Sequence, residues 1–393
     1  MRVILVKGQS YYNGLEIFID ELAVAFAEAG HDPIVFDTKG EADVAAGLAR
    51  AATGQSFDLV YSINILGELR DSNSRSMGEI VGAPHVLQFV DHPLSHLARL
   101  EQTAPGTAVL TIDPSHADAL KAIYGPNRFG FVGFCPHAAV GPTKSPGEDA
   151  GAFARTRPIP ILFPGSYTSI GPAPWSQMQL GVQRLFEAAT EIVLASEWTP
   201  GLVALDTAMR AAGLSPEDDQ FAGFRKLASY VHERVRALRR VALFEAVARA
   251  ELPVQVVGRG FEESSARFPN LTFLGEVSFS ESIALMARSR VVLNINANFG
   301  AGSHDRTLSA LNAGAAAASD FSSFYADHFE EGPEMLLYRW RDLDAGVAAL
   351  GRLAGDPQAA FNMAVAGQAK VLNGHRWKNR AEIIIDAAMQ ARG

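Results

Sequence analysis

The densest group of chemistry-bearing residues is Ser303-His304-Asp305-Arg306, set just after Gly300 and Gly302. It stands inside a stretch, Val291 to Asp320, that reads as an apolar strand (Val291, Val292, Leu293 and Ile295), a Gly-rich turn, the polar cluster, a short helix and a second small-residue strand ending at Ser319. A Gly-rich loop entering a helix turns backbone N–H groups and the positive end of the helix dipole toward an anion. Arg306 in the first helical turn adds a cation able to grip a phosphate through two hydrogen bonds. The ligand this chemistry implies is a phosphate or diphosphate. A plainer assignment uses the same letters: Asp305 caps the helix, His304 and Arg306 stay solvated, and the glycines are turn punctuation.

Other polar groups gather at strand ends. The run HVLQFV is followed by DHPLSH, which brings Asp91, His92 and His96 into one turn, and VLTI by DPSH, with Asp113 and His116. Such groups suit acid–base work or hydroxyl binding at a cleft, although Asp113 with Ser115 also fits a helix cap. His137 in FCPHAAV follows another strand and suits either that side or a satisfied core position. After PIPILFP come Gly165, Ser166 and Tyr167, and after PVQVV come Gly258, Arg259 and Gly260, where Arg259 is placed to reach a diphosphate. None of these groups has metal-ligand spacing, so no metal site is expected.

These residues need sheets to hold them. Arg2–Lys7, 33–36, 59–63, 84–90, 108–112 and 131–134 are short apolar runs separated by helical patterns, such as Leu15 to Ala29 with Leu15, Phe18, Leu22 and Phe26 on one stripe. Gly14 closes the first strand-to-helix loop. Strands alternating with helices predict right-handed crossovers and buried parallel sheets, with ligands beyond the carboxyl ends of the strands. The 393 residues exceed one ordinary core and suit two domains. The segment GPTKSPGEDAGAFARTR is polar and aperiodic, which predicts an N-terminal domain over 1–145, a linker at 146–157 and a second domain over 158–375. Residues 172–250 read as a helical insert, and 376–393 as a last helix packing back on the first domain. Within the insert, VHERVRALRRVALFEAVARA has an apolar face in Val231, Val235, Leu238, Val241, Leu243 and Phe244 and predicts a solvated basic side.

With 48% hydrophobic and 20% charged residues the chain is an ordinary globular one, and its net charge of -9 disfavours nucleic acid as a partner. No stretch of about 18 uncharged apolar residues occurs, which argues against a transmembrane segment. The start lacks signal-peptide features, and the single Cys135 has no disulfide partner, so a reducing cytoplasm is the expected compartment.

The succession strand-Gly-Arg-Gly, FLGEV with a short helix, VVLNI, then SHDR leading to LNAGAAAASD resembles the donor-binding domain of group 1 GT-B glycosyltransferases. Within these it is most similar to the branch that includes the bacterial spore maturation protein family, to which DHPLSH and FCPHA add a weaker N-terminal likeness. The resemblance implies two Rossmann-like domains with parallel sheets facing a central cleft, a hexosyltransferase activity, a nucleoside-diphosphate sugar as substrate with UDP a candidate nucleotide, and no cofactor or metal. By position it implies that Gly165 and Ser166, with Tyr167 beside them, line the diphosphate, that Arg259 and Arg306 counter its charge, and that Asn294, His304, Asp305 and Thr307 contact phosphate or ribose. Gly14, His96 and His137 would lie on the acceptor side, with Asp91 or His92 taking the acceptor's proton in an inverting enzyme. The acceptor is expected to be a protein, a glycan or a small molecule.

The pattern is broken at one place. Many retaining members carry two glutamates with seven residues between them here, and the matching positions are Ala301 and Ser309. Stereochemistry therefore stays open, and two other readings stand beside transfer: a nucleotide-sugar epimerase of the same fold, and a non-catalytic nucleotide-sugar-binding or scaffolding protein.

Overall fold

The computed structural model describes residues 1–10, 12–64, 69–167, 170–260, 267–296 and 299–392. The chain divides into two compact units, Met1–Val140 with Arg376–Gly393, and Gly141–His375. The first contains β1 (Arg2–Lys7), β2 (Asp32–Asp37), β3 (Leu59–Ile63), β4 (His85–Phe89), β5 (Ala108–Thr111) and β6 (Phe131–Phe134) in the spatial order β2-β1-β3-β4-β5-β6. All its pairings are parallel, with Ile4 opposite Ile34 and Val60. Because both faces are covered by helices, β3, β4 and β5 are buried along their whole length and read as near-continuous apolar runs. The helix Lys378–Gln390 lies against β4, β5 and β6 of this sheet. Its buried Arg380 donates to the carbonyls of Pro136 (3.0 Å) and His137 (2.9 Å), and Trp377 just before it packs on Phe18.

The second unit repeats the plan with β7 (Ile159–Pro164), β8 (Val254–Val257), β9 (Leu271–Phe273), β10 (Ser289–Leu293), β11 (Ala316–Asp320) and β12 (Leu336–Tyr338). Their order is β12-β11-β10-β7-β8-β9, all parallel. Strand order reverses between β7 and β10, the arrangement of a dinucleotide-binding sheet. Between β7 and β8 lies the helical insert, with helices Leu180–Leu194, Gly201–Ala211 and Ser229–Arg249. Arg225 ties it together by clasping Asp206 through two bonds of 2.9 and 2.8 Å. The helix Ser229–Arg249 seats on the sheet through Phe244, whose ring meets Phe163 of β7 edge-on at 4.9 Å.

Two expectations are corrected. The 146–157 segment is not an open linker: Ala150–Thr156 is a helix capped by Asp149 and packed on the helix Pro357–Gly374. One turn of polar residues was enough to hide it, because Phe153 alone supplies its buried contact. The basic side of Ser229–Arg249 is not wholly solvated either, since Arg239 is 3% exposed and Arg240 partly buried.

Arg157, at the start of β7, is 2% exposed and spans the carbonyls of Ala287 (2.8 Å), Ala313 (3.0 Å) and Ser289 (3.2 Å). Arg157→Met would leave those carbonyls buried and unpaired, and urea unfolding is expected to show a loss on the order of 3 kcal/mol. In the first unit His85 is 4% exposed, its Nε2 sits 2.7 Å from Ser62 Oγ, and burial lowers its pKa to about 4. The unfolded imidazole titrates near 6.5, so the folded state holds fewer protons between these values and stability is full above 6.5 and lost as pH falls toward 4. About 2 kcal/mol should be missing at pH 5 relative to pH 7.5. His85→Gln, which keeps a partner for Ser62, should shrink that pH difference in urea titrations by this amount; an unaltered difference would assign the acid lability elsewhere.

A candidate anion-binding site at the switch point of the second sheet

At the reversal of strand order the chain leaves β7 and β10 in opposite directions and opens a crevice at their carboxyl ends. Gly165 and Ser166 form the turn leaving β7. That turn is pinned to the one after β8: Gly165 N–H donates to Val257 O and Tyr167 N–H to Arg259 O, both at 2.8 Å. Here the glycines have a steric duty. A Cβ on Gly258, at φ 143°, would lie 2.5 Å from Gly165 O, and one on Gly260, at φ 84°, 2.2 Å from Tyr167 O. Gly-Arg-Gly is thus required for backbone to lie on backbone. Between the two glycines Arg259 is exposed. Tyr167 does not reach the crevice: at 6% exposure its ring lies in the core against Phe244 and Phe268, a position its apolar body prefers.

On the β10 side, Ala297 and Asn298 lie outside the described residues, and the chain re-enters with Phe299. The helix runs Asp305–Asn312, and its cap is His304 rather than Asp305. His304 Nδ1 accepts the N–H of Arg306 at 3.3 Å and lies 2.7 Å from Asp305 Oδ1. The His304 N–H meets the buried Tyr325 hydroxyl at 2.9 Å. Asp305 is 7% and Thr307 1% exposed, so these two line the helix start from within.

Arg306 is the centre of the crevice. Its Nη1 donates to Asn294 Oδ1 at 2.9 Å, its guanidinium stands 6.0 Å over the Phe163 ring, and a Cβ on Gly165 would come within 3.5 Å of its Nη2. Asn294 is 1% exposed and fully engaged: Nδ2 donates to Ser319 Oγ (2.9 Å), and its carbonyl accepts from Tyr338 Oη (2.8 Å). It therefore aims Arg306. Burial lowers the Arg306 pKa, with Asp305 opposing that shift, and Arg306 has no ion pair among the described residues.

Sequence reasoning missed Arg240. It stands one turn before Phe244 on the same helical face, so docking of Phe244 on Phe163 delivers it to the end of β7. There Nη1 donates to Ser166 O at 2.6 Å, while Nε is buried with no partner among the described residues. Burial and the charges of Arg306 and Arg236 lower its pKa to about 9. The signal available was the four-residue spacing from Arg240 to Phe244.

The loop ahead of the helix is held rigidly. Asn296 Nδ2 donates to Phe299 O (2.6 Å) and Gly302 O (3.1 Å), Ser322 Oγ to Gly302 O (2.5 Å), and Asp320 Oδ1 accepts the Asn296 N–H (2.5 Å). From the insert, Trp198 lies on Gly300 so closely that a Cβ there would fall 1.7 Å from its ring. Glu197 beside it accepts the N–H groups of Trp340 (2.8 Å) and Arg341 (3.0 Å). Of the positions of the absent glutamates, Ser309 is 0% exposed and Ala301 partly buried.

In the first unit Asp91 follows β4. Its Oδ2 accepts from Asn64 Nδ2 at 2.8 Å and lies 3.5 Å from His96 Nε2, while its side chain keeps 57% exposure. Burial alone would raise its pKa, but His96, Asn64 and the charge of His137 outweigh it and hold the carboxyl below its usual value. His92, offered as an alternative base, is 4% exposed; its Nδ1 accepts the Leu94 N–H at 3.2 Å, and its ring packs 4.2 Å from that of His116. This is a capping role. His96 is stacked on Phe89, and His137 is 3% exposed beside Phe18. Gly14 opens the helix Gly14–Glu28. Asp113 caps its helix through Ser115 N–H at 2.8 Å, and Cys135 is buried with its thiol pushed up to about 12, which makes it inert. No helix among the described residues is long and apolar enough to cross a membrane.

Residues 239–386 match the family described as glycosyl transferase-like. No curated protein matches the chain in sequence. Among solved structures it is similar to Anabaena HepE in complex with UDP-glucose, at 13% identity over 98% of both chains and a TM-score of 0.54. Similar too is sucrose-phosphate synthase from Thermosynechococcus elongatus, at 12% identity over 97% of this chain and 96% of that one, with a TM-score of 0.53. At such identity these structures speak for the fold, and the family match speaks for the domain. Residues 239–386, most of them in the second unit, thus carry a glycosyl transferase-like segment, and the chain over nearly its whole length shares the fold of these two structures.

Proposed function

We propose that this glycosyltransferase takes its sugar from a nucleoside diphosphate whose phosphates sit at the β7–β10 switch point, with Arg306 as the group that meets the developing charge. The single observation that carries this is Arg306 itself: a guanidinium at the switch point, aimed by Asn294, beside the Gly165 turn, and without an ion pair among the described residues. When the glycosidic bond breaks, negative charge grows on the departing diphosphate. A donor fixed beforehand in a partly desolvated site stabilises that charge without having to reorganise, and lowers the barrier by what it adds between ground and transition state. Gly165 and Ser166 then line the diphosphate, and Arg259, His304 and Asp305 stand at its rim. UDP is the nucleotide we favour, in keeping with the bound UDP-glucose of the HepE structure. The positive charge comes from arginines and a helix start, so the reaction is proposed to need no metal. A cytoplasmic enzyme of the spore maturation type is the narrower assignment, resting on the SHDR and LNAGAAAASD segments.

The acceptor hydroxyl is assigned to the N-terminal unit. There Asp91 is ionised at neutral pH, and its Oδ1 makes no hydrogen bond among the described residues, so it can receive a proton. His92, committed to a cap, is removed from that role.

Arg306→Ala should lower kcat/KM for UDP release from a UDP-sugar by about 100-fold or more while the urea midpoint stays near wild type; undiminished turnover would take the crevice out of the reaction. Asp91→Asn reads the stereochemical course when combined with the anomeric configuration of the product. A fall of about 100-fold with an inverted product marks Asp91 as the base, and turnover within about threefold of wild type with a retained product dispenses with one.

A further inference from the structure

We infer that Arg240 is the second phosphate-binding cation of the donor site and makes it selective for a diphosphate over a monophosphate. The inference rests on the reading of the switch point as the donor site and deepens it. Arg240 has fewer protein acceptors than a structural arginine. Arg157, the structural comparison, is 2% exposed and distributes its donors over several backbone carbonyls. Arg240 has one bond, to Ser166 O; its Nε, like that of Arg157, is buried with no acceptor among the described residues, but it lacks the several carbonyls that occupy the rest of the Arg157 guanidinium. A buried donor without an acceptor costs free energy that the fold does not recover internally.

Its surroundings make the same point through charge. Arg306 and the exposed Arg236 act on Arg240 as like charges, and no carboxylate pairs with it among the described residues. Two guanidiniums, one at the Gly165 side of the turn and one at the carbonyl of Ser166, repel each other until an anion enters. A monophosphate can satisfy one of them. A diphosphate offers two phosphoryl groups and satisfies both, so the second cation contributes to discrimination between the two ligands rather than to anion binding in general.

The placement also gives the helical insert a part in donor recognition. Arg240 belongs to the helix that closes the insert and is fixed by Phe244 on Phe163, apart from the Asp305–Asn312 helix that carries Arg306. The two cations thus arrive on independent supports and hold their separation.

The test is calorimetric titration of UDP, UMP and inorganic pyrophosphate into wild type, Arg240→Gln, Arg240→Lys and Arg306→Gln, with thermal melting of each free protein. Arg240→Gln should weaken UDP and pyrophosphate at least tenfold and UMP less than threefold, Arg240→Lys should restore part of the loss, and the free Arg240→Gln protein should melt no lower than wild type. Equal weakening of UDP and UMP, or an unchanged UDP affinity, would overturn the inference, as would a lowered melting temperature with the UDP-to-UMP ratio preserved. Wild type that binds neither UDP nor pyrophosphate would remove the donor site itself, an outcome distinct from failure of Arg240 alone.

Discussion

Two guanidiniums come to the turn after β7, one against Ser166 O and one beside Gly165, and neither has an ion pair among the described residues. Arg306 is aimed by Asn294, and Arg240 is carried in by the docking of Phe244 on Phe163. Hydrophobic burial along the sheet fixes the backbone from which Arg240 extends, because shifting that helix would require unseating Phe244 from a packed core.

The parallel sheet makes this arrangement possible. Every strand of the second unit delivers its carboxyl end to the same edge, and reversal of order between β7 and β10 opens the only kind of gap in such a sheet where backbone turns can approach a ligand. Gly258 and Gly260 then let the β8 turn lie flat on the β7 turn. The first unit uses the same logic with a different result: its strand ends gather Asp91, Asn64 and His96, a carboxylate hydrogen-bonded through one oxygen and open at the other. One unit therefore presents cation chemistry and the other base chemistry, each from its strand ends.

Much of this was legible in the residues. Apolar runs bounded by Gly and Pro marked the strands, since a buried parallel strand needs an uninterrupted run such as Val291 to Leu293 or Ile161 to Phe163. Arg306 stood out because it follows glycines at a helix start. What stayed hidden depended on tertiary placement. Arg240 lay in a run of arginines whose periodicity points to solvent, and only its spacing from Phe244 betrays the face it shares. Tyr167 had the right address and the wrong direction, because alternation along the chain past β7 turns its ring into the core. His304, read from the sequence as a contact for phosphate or ribose, also caps the helix through one backbone N–H, a role its spacing does not reveal. His92 likewise caps a turn in the first unit.

The contact between Trp198 and Gly300 reaches beyond the crevice. Since the indole occupies the volume that any side chain at residue 300 would need, the insert and the loop before the Asp305–Asn312 helix are constrained to change together. Trimming the insert to obtain a smaller catalyst would strip the cover from that loop, and grafting the loop onto a relative without a matching tryptophan would leave a void. The helical elaboration and the loop before the Asp305–Asn312 helix therefore form one packed unit, in which neither part can be replaced without refitting the other.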